Sequence, residues 1–221
     1  MQPQPGQANP ALERSALIVA TLASFIGPFM ISSVNVALPA IQADLGMDAV
    51  QLSWIATAYL LAMAVVLVPA GKFADIHGRK RVFTTGLAVY TFGSVAAAFV
   101  NSAALLIVTR VLQGIGAALF VTTSMAILTS IYPPNRRGRV LGIYVAAVYV
   151  GLSVGPFVGG MLTQYLGWRS IFLIMLPLGL FALAMTFFFL KGEWLCEPGQ
   201  KLGLGGCLLY AVAILALVYG A

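Results

Sequence analysis

Seven long apolar stretches, at 16–38, 52–70, 82–100, 103–131, 140–162, 171–190 and 202–221, hold a single charged residue among them; the short segments before and between them hold all the others. Each stretch is close to the ~20 residues that cross ~30 Å of hydrocarbon as a helix. In lipid a spanning backbone must satisfy its own polar groups, so these stretches predict helices. A water-facing surface has nothing to be made from: 8% of residues are charged, against roughly 25% in soluble domains. The fold class is therefore all-α, a polytopic membrane helical bundle. The long fourth stretch predicts tilt or extension past the bilayer. The start, MQPQPGQANP, is polar and proline-rich, and the first apolar run is too long for the core of a cleaved signal.

The basic residues orient the spans. Arg14 precedes the first; Lys72, Arg79, Lys80 and Arg81 lie between the second and third; Arg136, Arg137 and Arg139 between the fourth and fifth; Lys191 and Lys201 between the sixth and seventh. The opposite side has only Arg169, with Asp44 and Asp48 in its first loop. Lys and Arg collect on the cytoplasmic side, which predicts a multi-pass protein of the cell (plasma or inner) membrane with a cytoplasmic N-terminus. The divisions are a tail at 1–15, a six-helix bundle at 16–190, a cytoplasmic link at 191–201 and a seventh span at 202–221. The +6 net charge is thus a topology signal. No basic face interleaved with aromatics points to nucleic acid. Cys196 and Cys207 have neither metal spacing nor a disulfide framework, and no metal site is expected.

A faint repeat runs through the chain. Displaced by 89 residues, GKFADIHGRKRVF (71–83) aligns with GMLTQYLGWRSIF (160–172), matching Gly71 with Gly160, Gly78 with Gly167 and Phe83 with Phe172. The first segment joins spans two and three on the cytoplasmic side, the second joins spans five and six on the outer side. Three spans repeated with inverted topology is an arrangement of secondary transporters.

Within the 71–83 loop, Gly71 allows close helix approach and Gly78 a tight turn. Asp75 lies four residues before Arg79, within pairing reach on a continuing helix. Arg79, Lys80 and Arg81 then meet the anionic leaflet. A topology anchor needs the positive charges alone, not Asp75 or the glycines. Arg110 is the one charge inside a span. Such a residue is costly and is a functional-site hypothesis by default; here outward snorkelling is open to it, as is a structural role bonding carbonyls of a neighbouring helix. Gln113 and Gly114 share its face. Gly151, Gly155 and Gly159 form a strip for backbone-to-backbone packing, extended by Gly160, and Pro156 bends the helix beside them. Ser32, Ser33 and Asn35 are path candidates, with bonding of serine to its own helix as the alternative. Trp54, Tyr59, Tyr144 and Tyr149 suit stacking on flat substrates or interfacial anchoring. His77 is expected to be solvated.

GKFADIHGRKRVF resembles the signature loop between helices two and three of the major facilitator superfamily. LIVTRVLQGIGAA (106–118) resembles its helix-four motif, and GLSVGPFVGG (151–160) its helix-five antiporter motif. SVNVALPAI, WIATAYLLAMAV, WRSIFLIMLPLG and the short link KGEWLCEPGQKLG are similar to the fourteen-helix drug:proton antiporter branch. The resemblance implies a six-helix N-terminal bundle built as a 3+3 inverted repeat, plus a seventh span. It implies that the 71–83 loop latches the cytoplasmic side, and it gives Arg110 to proton coupling or substrate contact. It places span one along the cavity and Met30 where the branch usually has an aspartate. Met175 replaces a common asparagine. With no Asp or Glu inside any span, either the coupling carboxylate lies outside this stretch or Arg110 presents its charge to an anionic substrate.

The expected function is efflux of small drug-like organic compounds by ion-coupled antiport, with the bilayer and a small-molecule substrate as partners. The energy source is a proton or other ion gradient. No cofactor is expected, and neither a GxxxxGK[ST] phosphate loop nor a nucleophile–base set suggests an enzyme; catalytic residues are none. The superfamily works with two bundles, so a second, C-terminal bundle is expected from a longer product or a second chain. The alternatives are a non-transporting remnant or partner-binding bundle, and transport of a small anionic metabolite.

Overall fold

The structure, a computed structural model, describes residues 10–190 and 204–219. All its regular elements are helices: α1 (Pro10–Leu45), α2 (Ala49–His77), α3 (Arg79–Ala98), α4 (Ala103–Ile131), α5 (Pro134–Leu166), α6 (Arg169–Leu173), α7 (Met175–Phe189) and α8 (Leu204–Tyr219). The predicted link with Lys191, Cys196 and Lys201, and residues 1–9 of the tail, lie outside the described residues.

The helices overrun the apolar stretches because their polar ends carry helix-starting chemistry. Asp48 opens α2 with a reciprocal cap, its Oδ1 accepting from the Gln51 amide at 2.7 Å while Gln51 Oε1 accepts from the Asp48 amide at 3.3 Å; such a box satisfies two orphan donors at once. Ser102 caps α4 and Pro134 stands at the start of α5, where its missing N–H costs nothing.

Among the described residues, five helical stretches are long and apolar enough to cross a membrane: α1, α2, α4, α5 and the α6–α7 run. The third predicted span, α3, is helical but less apolar. It starts on three basic residues and carries buried Thr91 and Ser94, which is tolerable because it lies between α4 and α7 instead of facing lipid on all sides. The sixth predicted span is interrupted. Helix α6 ends at Leu173 and α7 begins at Met175. Pro177 has no N–H for the Leu173 carbonyl four residues back and its ring crowds that carbonyl.

The bundle consists of two similar crossings, α1 on α5 and α4 on α2, with α3 and α7 filling the flanks. A Cβ on Gly151 would stand 2.7 Å from the Phe25 carbonyl oxygen, and one on Gly114 would stand 2.9 Å from the Ala62 Cβ. Gly114 lies 89 residues beyond Phe25, and Gly151 lies 89 beyond Ala62. The same contact at the same register thus closes both crossings. The loops agree: Gly78 (φ 98°, ψ 127°) and Gly167 (φ 82°, ψ 158°) share a conformation that side chains disfavour, and Phe83 and Phe172 after them are both buried. The backbone therefore strengthens a repeat that only three sequence identities suggested.

Helix α5 runs through Pro156 without interruption, with Pro156 on its exposed side. The glycine strip at 151, 155 and 159 is buried against α1; a Cβ on Gly155 would meet the Phe29 carbonyl oxygen at 2.8 Å and one on Gly159 the Ser33 Cα at 2.7 Å, while Gly160 has looser surroundings. Helix α8 lies against α2, where Tyr210 Oη donates to the Ala64 carbonyl at 3.0 Å. Cys207 on α8 is a free, half-buried thiol.

Candidate functional site

Three groups of polar side chains stand out: one at the α2–α3 turn, one inside the bundle and one at the opposite end.

At the α2–α3 turn the helix does not continue, yet Asp75 and Arg79 still pair. Gly78 turns the chain so that Arg79 Nη2 and Nε lie 2.9 and 3.0 Å from Asp75 Oδ1. Arg79 Nη1 also donates to the Ala126 carbonyl at 3.0 Å and to Ser130 Oγ. The guanidinium thereby ties the turn to the C-terminal end of α4, where the helix dipole favours a cation. Gly71 admits this approach, since a Cβ there would already touch Thr122 Cγ2 at 3.3 Å. Lys80 Nζ lies 6.0 Å from the Phe187 ring centre, and Arg81 is exposed. His77 is exposed but not simply solvated, stacking on Phe73 with ring centres 4.1 Å apart.

Inside the bundle Arg110 is 1% exposed, so it does not snorkel outward. Its Nε donates to the Ile55 carbonyl on α2 at 3.1 Å, and its Nη1 to Gln113 Oε1 at 2.6 Å. Gln113 Nε2 passes the chain to Ser94 Oγ on α3 at 2.8 Å, and Ser94 donates to the Tyr90 carbonyl at 2.8 Å. The Tyr59 ring lies 4.6 Å from the guanidinium carbon, close enough for cation–π attraction. Tyr59 is thus occupied by Arg110 and 1% exposed, not open for stacking on a substrate. Tyr144 is also buried, while Tyr149 is exposed and Trp54 half-buried. Tyr90 packs edge-on against Phe120, and its Oη is buried without a hydrogen-bond partner among the described residues. Among the described residues, every partner of Arg110 is neutral. A cation so placed is attenuated little by solvent and acts over distance in a low dielectric.

The span-one candidates separate. Ser33 is fully buried and donates to the Gly155 carbonyl at 2.9 Å. Ser32 bonds back to the Pro28 and Phe29 carbonyls at 3.0 and 3.3 Å, and across to Gly151 at 3.4 Å. Both hydroxyls therefore belong to the α1–α5 seam in this conformation. Asn35 is exposed. Met30 is fully buried in the apolar core, so the position carries no exposed surface here.

At the opposite end, Asp44 Oδ2 accepts from Arg169 Nη1 at 2.6 Å and from Trp168 Nε1 at 3.1 Å. Arg169 Nη2 continues to the Val100 carbonyl at 3.1 Å, and the Arg169 guanidinium carbon lies 4.3 Å from the Trp168 ring centre. These bonds, Arg169 first and Trp168 second, hold the Asp44 carboxyl below its ordinary range. The sequence reading counted Asp44 and Arg169 only as loop charges. The available signal was an acidic residue ending one span and a lone basic residue opening another on the same side. Among the described residues no group of three or more His, Cys, Asp or Glu could hold a metal ion.

Comparison with known proteins places this geometry in context. A family model described as Major Facilitator Superfamily matches residues 20–203. Similar proteins include multidrug resistance protein Stp of Mycobacterium tuberculosis, 37% identical over 91% of this chain and 38% of its own length. Cephamycin export protein CmcT of Amycolatopsis lactamdurans is 38% identical over 93% of this chain and 43% of its own. Riboflavin transporter RibZ of Clostridioides difficile is 33% identical over 88% and 43%. The chain spans about two fifths of the length of these relatives. With the family model matched along most of an apolar helical bundle that repeats its own crossings, the chain belongs to the major facilitator superfamily.

Proposed function

We propose that residues 16–190 are the N-terminal bundle of a secondary transporter that expels small, drug-like organic compounds in exchange for an ion, with its N-terminus in the cytoplasm of a cell whose membrane it crosses repeatedly. The second bundle comes from a longer product or a partner chain. The observation that carries this reading is the turn at Gly78, where Asp75 and Arg79 are locked to the end of α4. A charged junction between three helix ends is suited to holding one conformation and releasing it. Two of the similar proteins are named for resistance or export, which supports the outward direction. In this reading Arg110 acts as a fixed cation beneath the path, through its field and its hold on Gln113, and not by touching substrate in this conformation.

A second reading, transport of a small anionic metabolite, is favoured by one observation: among the described residues every partner of buried Arg110 is neutral, and none compensates its charge. RibZ, named a riboflavin transporter, shows that the relatives are not all named for resistance. The test is transport by the full-length protein in proteoliposomes under an imposed proton gradient. Movement of a cationic dye against the proton flux, abolished by a protonophore, is expected. Movement of an anion along with protons would replace this reading with the second. Arg110→Ala divides the roles further: loss of pH dependence alone indicates coupling, loss of anion binding indicates substrate contact.

A further inference from the structure

Between the ends of α1 and α5 nearest Arg14 lies a crevice of about 430 Å³, lined by Arg14, Tyr132, Arg136 and Arg139 among others. Its one acid, Glu13, is already engaged: Glu13 Oε2 accepts from Arg136 Nη1 at 2.9 Å, and the Glu13 carbonyl accepts from Tyr132 Oη at 2.6 Å. Arg14 and Arg139 are exposed and have no hydrogen-bond or ion-pair partner among the described residues. The lining thus carries three positive charges and one negative. It also sits beside the start of α5, whose dipole is positive.

The crevice does not end in polar protein. It adjoins a second groove of about 510 Å³ along the same two helices, and Leu17 and Ile143 line both. That groove is apolar, bounded by Ile18, Phe25, Ala147 and Val150 among others, with Ile18 and Val150 about half exposed. The two helices run parallel, so charge stands at one end and hydrocarbon at the other. From Arg14 to Phe25 is about 16 Å along the helix, roughly half of the ~30 Å hydrocarbon core, which is the depth of one leaflet.

We propose that this composite groove binds one anionic phospholipid, its phosphate between Arg14, Arg136 and Arg139 and one acyl chain along α1 and α5 as far as Phe25. An isolated anion site would need the arginines but not an apolar groove continuous with them. A purely apolar docking face would have no use for two unpaired arginines at its mouth. Phospholipid has both parts in the right order, and the cytoplasmic leaflet is the anionic one. This last point rests on the cytoplasmic placement of the N-terminus. Binding from detergent, where lipid is offered without sidedness, tests the site separately from that placement.

The experiment is native mass spectrometry of the full-length protein in detergent, offered equal amounts of phosphatidylglycerol and phosphatidylcholine with the same acyl chains. The proposal expects one phosphatidylglycerol to be retained in preference. R14Q/R139Q should weaken its retention by roughly fivefold for each arginine removed. Ala147→Trp, which fills the groove and leaves every charge, should weaken it as well. Equal retention of the two lipids by the wild-type protein overturns the proposal, and that comparison needs no variant to fold. Displacement of the lipid by inorganic phosphate, or an Ala147→Trp variant that melts normally and retains lipid like wild type, also overturns it, since the site would then be an anion site without the groove.

Discussion

Arg110 on α4 donates through Nε to the carbonyl oxygen of Ile55 on α2, 3.1 Å away. The corresponding bond in the other crossing is neutral: Ser24 on α1 donates to the Tyr144 carbonyl on α5 at 3.2 Å. Tyr144 lies 89 residues beyond Ile55, and Gln113 the same distance beyond Ser24. Thr21 holds the position corresponding to Arg110, and its Oγ1 is buried with no hydrogen-bond partner among the described residues. One scaffold therefore supports a charged crossing and an uncharged one, and the asymmetry is concentrated on a single guanidinium.

That guanidinium serves acceptors in two directions, Ile55 and Gln113. An ammonium lacks the planar fork. Arg110→Lys should therefore destabilise the protein by about 1–3 kcal/mol for an acceptor left unpaired, read as a lower melting temperature in detergent. A lysine variant with wild-type melting and transport would show that charge alone is required.

Two glycines on α5 should respond oppositely to the same change. A Cβ at Gly142 meets nothing within 4 Å, whereas one at Gly151 meets the Phe25 backbone. Gly142→Ala should gain up to about 1 kcal/mol from helix propensity, and Gly151→Ala should lose about 1–3 kcal/mol by overpacking. Equal melting shifts would contradict backbone contact at the α1–α5 crossing.

Asp75→Asn should separate stability from turnover. The Asp75–Arg79 pair is partly exposed, and such pairs contribute about 0.2–1 kcal/mol, so insertion and melting should change little. Transport in proteoliposomes should fall to that of empty vesicles. Wild-type transport by the variant would remove the loop from the mechanism.

Asp44 predicts a pH dependence of known sign. Arg169 and Trp168 hold its carboxyl below the ordinary value of 3.8. A carboxyl depressed in the folded state stabilises fully above its unfolded value, and that contribution disappears as pH falls toward the folded one. The melting difference between wild type and Asp44→Asn should be constant from neutral pH down to the ordinary carboxylate range and shrink below it. A difference that stays constant on acidification would mean the bond to Arg169 does not form.

Much of the fold is legible in the sequence because lipid makes hydropathy decisive. Where backbone must cross hydrocarbon it must be helical, so seven apolar stretches and their charged joints located the helices, and GKFADIHGRKRVF pointed to the loop where Asp75 and Arg79 meet. Pro177 was equally readable as the cause of the break in the sixth span, although that span was expected to be whole. What sequence could not assign was direction around each helix axis. For Arg110 both outward snorkelling and bonding to a neighbouring helix stood open, and it is enclosed and donates to the Ile55 carbonyl; Ser32 and Ser33 stood between a path and backbone bonding and lie in a seam; Tyr59 stood between stacking and anchoring and is covered by Arg110. The physical reason is that lipid is as apolar as a neighbouring helix, so the periodicity that marks the buried face of a soluble helix is nearly erased. Sequence by itself determined which stretches are helical and where charged joints turn the chain, while only tertiary packing decided where the sixth span breaks and which face of each helix meets protein.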